Sequence, residues 1–231
     1  MKVLSPLQNR FLDLLLSSGA LRFGEFKTKS GRLSPYFMNT GAFDHGSLLR
    51  DVARCYAEFM DQAFSGPIHL YGPAYKGITL AAATAVELSS IRSAEVPFTF
   101  NRKEAKDHGE GGLFVGRIPD KSTPLVIIED VMTGGTSIRE TMVLLAAREI
   151  PVRGVVIGVD RQERGEGDLA ASDEVTKKYG FPVKAILTMD EIIKALWVAN
   201  KPVERLGKIW IDESVKYRIG DYRAAWGAIT I

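Results

Sequence analysis

The chain has 231 residues, 45% of them hydrophobic and 25% charged, with a formal net charge of +2. This suits a globular fold with a sizeable core and leaves no basic footprint for nucleic acid. No apolar run approaches the roughly 20 residues of a membrane span, and the N-terminus lacks the small-residue cleavage site of a signal peptide. The single Cys55 excludes an internal disulfide and fits a reducing, cytoplasmic setting. Its spacing with Val52, Tyr56, Phe59 and Met60 predicts a packed core position.

In chain order, Ser5-Pro6 predicts a helix start, with serine as the cap and proline at the first helical position. Leu7, Phe11, Leu14 and Leu15 recur on one face until Gly19. Residues 20–43 alternate and turn, with Ser30-Gly31 as a hairpin tip. A second helical pattern runs from about Ser47 to Phe64. Strands are then predicted at Ile68–Tyr71, Pro97–Phe100, Leu125–Glu129, Val152–Val159 and Val183–Leu187, and helices over 77–90, 136–149, 168–179 and 190–199. Runs such as VIIE and VVIGV are apolar at consecutive positions, as strands buried on both faces of a parallel sheet require. The alternation argues an α/β, doubly wound core over 65–200. Residues 1–45 form an N-terminal subdomain, and the last 30 or so pack against the core, within one domain of 1–231. In such sheets ligands bind beyond the carboxyl ends of the strands.

One of those ends carries Val126–Ser137, VIIEDVMTGGTS. In Thr133-Gly134-Gly135-Thr136-Ser137 the glycines let backbone N–H groups converge, and the following helix adds unpaired donors and the positive end of its dipole. The dipole alone contributes about 0.3–1 kcal/mol, so a phosphate site needs several N–H groups and hydroxyls together. Taken alone, the loop serves equally well as a glycine turn with a Thr or Ser cap. Glu129 and Asp130, directly before it, would repel a phosphate. They make sense if they face sugar hydroxyls, a cation or a transient positive charge. A ribose losing its C1 substituent develops such charge, and carboxylates favour that state. Charge-assisted bonds to vicinal hydroxyls add about 1.5–3 kcal/mol each. The phosphate loop G-x-x-x-x-G-K-[ST] is absent, which argues against a nucleotide triphosphatase.

Between residues 102 and 112, Arg102, Lys103, Lys106 and His108 offer four donors beside glycines at 109, 111 and 112. A mobile cationic loop of this kind suits closure over a diphosphate; a solvated charged loop is the plainer alternative. Tyr75 and Lys76 follow the strand Ile68–Tyr71, and Arg161 follows Val152–Val159, so both groups face the same mouth. An arginine fork suits a carboxylate, while an Arg161–Glu163 pair is its structural alternative. Gly165-Glu-Gly-Asp-Leu-Ala170 fits G-x-G-x-x-[GA], but a polar segment separates it from the strand and its acids would repel a pyrophosphate.

With these residues in view, VIIEDVMTGGTS resembles the phosphoribosyl-diphosphate signature of type I phosphoribosyltransferases. Phe100–Gly112 resembles the mobile catalytic loop of the orotate phosphoribosyltransferase family, and segments 29–39, 71–78 and 160–165 match three further parts of it. The resemblance implies the type I fold, a mostly parallel twisted sheet flanked by helices with a small N-terminal α+β hood. It implies Mg²⁺-dependent transfer of a phosphoribosyl group to N1 of orotate, giving orotidine 5′-monophosphate for pyrimidine synthesis. Residues Glu129, Asp130, Val131, Met132, Thr133, Gly134, Gly135, Thr136 and Ser137 would bind the donor together with Lys29, Tyr75, Lys76, Arg102, Lys103, Lys106 and His108. Lys106, Asp130 and Glu129 would serve catalysis, and Phe37, Met38, Thr133 and Arg161 would bind orotate. The Mg²⁺ would be held mainly by substrate and water, with no protein ligand set. The resemblance also implies a homodimer in which loop 102–112 completes the partner's site. Two alternatives remain at this level: a type I transferase for a purine or uracil, and a non-catalytic phosphoribosyl-diphosphate sensor. The first has less use for Arg161, and the second predicts a basic face or an added DNA-binding module.

Overall fold

A computed structural model describes residues 4–28, 31–106 and 112–228, with the backbone alone at 103–106. Helix α1 (Pro6–Ser17) begins where the sequence predicts: Gln8 N donates to Ser5 Oγ at 3.2 Å, and Ser5 N donates to Gln8 Oε1 at 3.1 Å. This reciprocal pair satisfies two of the unpaired donors of the first turn. Strands β1 (Leu21–Lys27) and β2 (Leu33–Met38) form the antiparallel hairpin of the hood. A 3-10 turn over Thr40–Ala42 leads into α2 (Gly46–Ala63), which buries Cys55.

The central sheet has six strands: β3 (His69–Gly72), β4 (Phe98–Lys106), β5 (Gly112–Gly116), β6 (Leu125–Met132), β7 (Val152–Asp160) and β8 (Val183–Thr188). Their order is β5-β4-β3-β6-β7-β8, parallel except for the β4–β5 pair. Along β6, Val126 and Ile128 enter one core while Leu125 and Ile127 enter the other. Successive side chains of a strand point to opposite faces, so a strand covered on both sides must be apolar at every position. The first core packs α1, α2, α3 (Lys76–Arg92), α6 (Met189–Leu196) and α7 (Glu213–Trp226) on one face; α4 (Thr136–Ala146) and α5 (Ala171–Tyr179) cover the other.

Several boundaries depart from the sequence reading. Arg102–Lys106, expected within a loop, continues β4 and pairs with β5, Lys106 lying opposite Gly112. The predicted helix 190–199 stops at Leu196, because Ala199 and Asn200, both at positive φ, turn β9 (Trp197–Val198) into β10 (Lys201–Pro202). Positive φ at both central residues is what a tight hairpin of this hand needs. A second such hairpin joins β11 (Glu204–Arg205) to β12 (Lys208–Ile209) through Leu206 and Gly207. The closing helix α7 was not predicted as an element. Its buried residues are only Val215, Ile219 and Tyr222, a stripe too narrow to stand out. Among the described residues no helix is long and apolar enough to cross a membrane.

Candidate active site

From β3 the chain crosses to β4 on one side; from β6 it crosses to β7 on the other. The carboxyl ends of β3 and β6 therefore flank the point where the winding reverses, the usual ligand crevice of such sheets. Lys76, the first residue of α3, and Asp130, near the end of β6, meet there: Lys76 Nζ lies 3.1 Å from Asp130 Oδ2. Thr40, from the 3-10 turn of the hood, donates its hydroxyl to the same oxygen. Val131 N donates to Asp130 Oδ1 at 2.7 Å. Three separate parts of the chain thus fix one carboxylate.

Glu129 points elsewhere, as its neighbouring position on a strand requires. Its Oε2 accepts from Ser137 Oγ at 2.6 Å, and its backbone carbonyl accepts from the Tyr56 hydroxyl at 3.0 Å. Burial pushes the Glu129 carboxyl up to about 7; the negative charge of Asp130 acts in the same direction, while the Ser137 hydroxyl and Lys76 oppose it. Both acids are buried, whereas Thr133, Thr136 and Ser137 are exposed at the mouth. Gly135, at φ +72, caps α4, and Arg139 Nη2 holds the carbonyl of Gly134 at 2.7 Å. Ser137, expected at the phosphate, is thus also a brace for Glu129.

Behind the β3 end, Asn101 Oδ1 accepts from Tyr71 OH at 3.0 Å and from Ala74 N at 3.2 Å, which anchors the turn ahead of Lys76. The Ala74–Tyr75 peptide is cis, and Tyr75 is exposed. Arg102 Nη1 donates to Gly112 O at 2.9 Å, across the β4–β5 arm. Lys29 and His108 lie outside the described residues, as do the side chains of Lys103 and Lys106.

The expected base-binding residues are arranged differently. Phe37 stacks on Phe26 with centroids 5.4 Å apart, and Arg22 covers both rings. Met38 turns into the hood core, so only its backbone faces outward. Arg161 is buried: Nε and Nη2 donate to Glu163 Oε1 at 2.9 and 2.6 Å, Nη2 reaches Ser34 Oγ at 3.4 Å, and the guanidinium lies over the Tyr36 ring. One edge of the guanidinium is thus engaged with Glu163, and Nη1 is the nitrogen without a partner among the described residues. The G-x-G-x-x-[GA] segment is no nucleotide cradle, since Glu174 already accepts the N–H groups of Glu166 and Gly167 at 2.9 and 2.6 Å.

Thr40, Asn101 and Arg139 had no role in the sequence reading. Arg139, three residues beyond Thr136 on a helix, was open to inference from spacing; the others reach the site only through tertiary contacts.

The chain belongs to the phosphoribosyl transferase family, whose domain model matches residues 42–186. Individual relatives are more specific. Orotate phosphoribosyltransferase of Clostridium beijerinckii is 43% identical over 223 residues, 96% of this chain and 98% of that protein. The enzyme of that name from Pseudomonas putida strain W619 is 47% identical over 194 residues, covering 84% and 90%. The crystal structure of orotate phosphoribosyltransferase from Francisella tularensis aligns with a TM-score of 0.78 at 32% identity, covering 94% of this chain and 99% of that one. Within its family the chain stands with the orotate phosphoribosyltransferases.

Proposed function

We propose that the crevice between β3 and β6 transfers the 5-phosphoribosyl group of 5-phospho-α-D-ribose 1-diphosphate to N1 of orotate. The products are orotidine 5′-monophosphate and diphosphate, on the route to UMP. The observation that carries this reading is the Lys76–Asp130 contact at the switch point, beside an exposed Thr/Gly loop. It sets a cation for the diphosphate and an acid for the ribose a few bonds apart, the spacing of those groups within one donor molecule.

The 133–137 loop and the first N–H groups of α4 hold the 5-phosphate. Glu129 and Asp130 accept from the ribose hydroxyls and favour positive charge at C1 as its bond to the diphosphate oxygen breaks. That oxygen leaves with the electron pair, and orotate N1, its proton released, forms the new bond to C1. Lys76, the Tyr75 backbone, Arg102, Lys103, Lys106 and His108 stabilise the departing diphosphate, and Lys29 reaches it from the hood. Phe37, the Met38 backbone, Thr133 and Arg161 Nη1 hold the base. The chain supplies position and charge rather than a nucleophile.

Glu129 and Asp130 provide oxygen donors suited to a hard cation. That donor set fits a Mg²⁺ carried in mainly by substrate and water. When bound, Mg²⁺ offsets the charge of the diphosphate. A cytoplasmic homodimer, with the β4–β5 arm of one subunit covering the other's crevice, completes the proposal. Orotate absorbance should fall when the protein receives orotate, Mg²⁺ and the donor. Turnover of a purine base with orotate untouched would overturn the substrate assignment.

A further inference from the structure

The segment that carries Arg161 is held by the far end of the chain. Ala228 N donates to Gln162 O, and Arg164 N donates to Trp226 O, both at 3.0 Å. Arg164 Nε donates to Gly227 O at 3.0 Å, and Glu163 pairs with Gly227 in an antiparallel bridge. The helix before this tail, α7, lays Tyr222 edge-on against Tyr36 of the hood, with centroids 5.6 Å apart. Tyr36, Arg161, Glu163 and Tyr222 thus form one buried cluster between β2, the end of β7 and α7.

The hydrogen bonds in that cluster are lopsided. Glu163 Oε1 accepts from Arg161 Nε, Arg161 Nη2 and the Tyr36 hydroxyl. Glu163 Oε2 and the Tyr222 hydroxyl are both buried without a hydrogen bond of good geometry among the described residues, although Glu163 and Ser34 both lie near enough to act on that hydroxyl. One is an acceptor and the other a donor. They are close enough that the Glu163 charge, after burial itself, drives the Tyr222 hydroxyl upward from its ordinary pKa. Buried polar atoms are rarely left unpaired, and a small approach of α7 to the hood would join these two. A groove of about 440 Å³ lies between β2 and α7, lined by Arg32, Ser34, Arg218, Tyr222 and Trp226.

We propose that α7 is part of the acceptor-base site, with Glu163 and Tyr222 as positioning residues that aim Arg161 Nη1 at the carboxylate of the base. Glu163 takes the two nitrogens on one edge of the guanidinium, so the free nitrogen has a single direction. Tyr222 fixes the carboxylate that does this. This rests on the reading that Arg161 faces the base.

The test uses the full-length enzyme and its steady-state kinetics. Tyr222→Phe removes one hydroxyl and Glu163→Gln removes the charge. Each should raise KM for orotate about fivefold or more, leaving KM for the donor and kcat within about twofold. Each should also lower the preference for orotate over uracil, which lacks the carboxylate, measured by competition. Arg161→Lys separates the two levels. If it leaves KM for orotate unchanged, the reading of Arg161 itself fails. If it raises KM for orotate while Tyr222→Phe and Glu163→Gln do not, the positioning role is overturned. Loss of donor and orotate affinity together in the latter two variants would equally overturn it, because that is the mark of a general packing role.

Discussion

Glu129 has the most demanding position of any single residue here. Its carboxyl is buried at the mouth of the proposed donor site, and burial lifts it to about 7 from the ordinary 4.5. Between those values the folded chain binds more protons than the unfolded one. The stability contributed by the neutral form is complete below about pH 4.5 and is lost as pH rises through about 7. The shift corresponds to about 3 kcal/mol. Glu129→Gln should therefore raise the melting temperature at about pH 8 and flatten its decline between about pH 5 and 8, as thermal unfolding would show. In the same range kcat/KM for the donor should rise with pH in the parent enzyme, since only the ionised acid accepts from two ribose hydroxyls. A pH-independent value across neutrality would remove Glu129 from donor binding. A site that burdens its own fold in this way is the usual trade between stability and activity.

At the scale of elements, the turn from β6 into α4 shows how two adjacent glycines differ. A side chain on Gly134 would meet nothing within 4 Å, whereas Gly135 sits at φ +72 with Arg139 beside it. Gly134→Ala should be nearly silent in denaturant unfolding and in donor KM. Gly135→Ala should cost about 1 kcal/mol or more and raise donor KM, because the cap of α4 cannot form undistorted. Equal effects would mean that the loop has no defined turn. The β4–β5 arm teaches a related lesson. KEAK carries no apolar period, so nothing local marks it as a strand; its pairing with Gly112–Gly116 makes it one. The GEGDLA segment shows the reverse case, where a motif matches but Glu174, a few residues further on in α5, takes its N–H groups.

At the scale of the whole molecule, the proposed homodimer with a shared site makes a quantitative prediction. Lys106→Ala and Asp130→Asn homodimers should each be nearly inactive. After mixing and subunit exchange, half the dimers are mixed and each rebuilds one of two sites, which gives about a quarter of the wild-type specific activity. No recovery after verified exchange would confine the arm to its own subunit. The sheet, its strands and the VIIEDVMTGGTS mouth were legible in the sequence because their signals are local: doubly buried strands are continuously apolar, and a phosphate loop needs glycines and hydroxyls in a row. The sequence by itself thus determined the class of fold and the acid pair with its glycine turn at the end of β6. Only the tertiary structure decided that Thr40 and Lys76 share Asp130, that Arg161 is gripped by Glu163, and that α7 closes over the hood. Apart from the Arg161–Glu163 pair, those contacts join residues far apart in the chain, and a contact of that kind leaves no periodic trace in sequence.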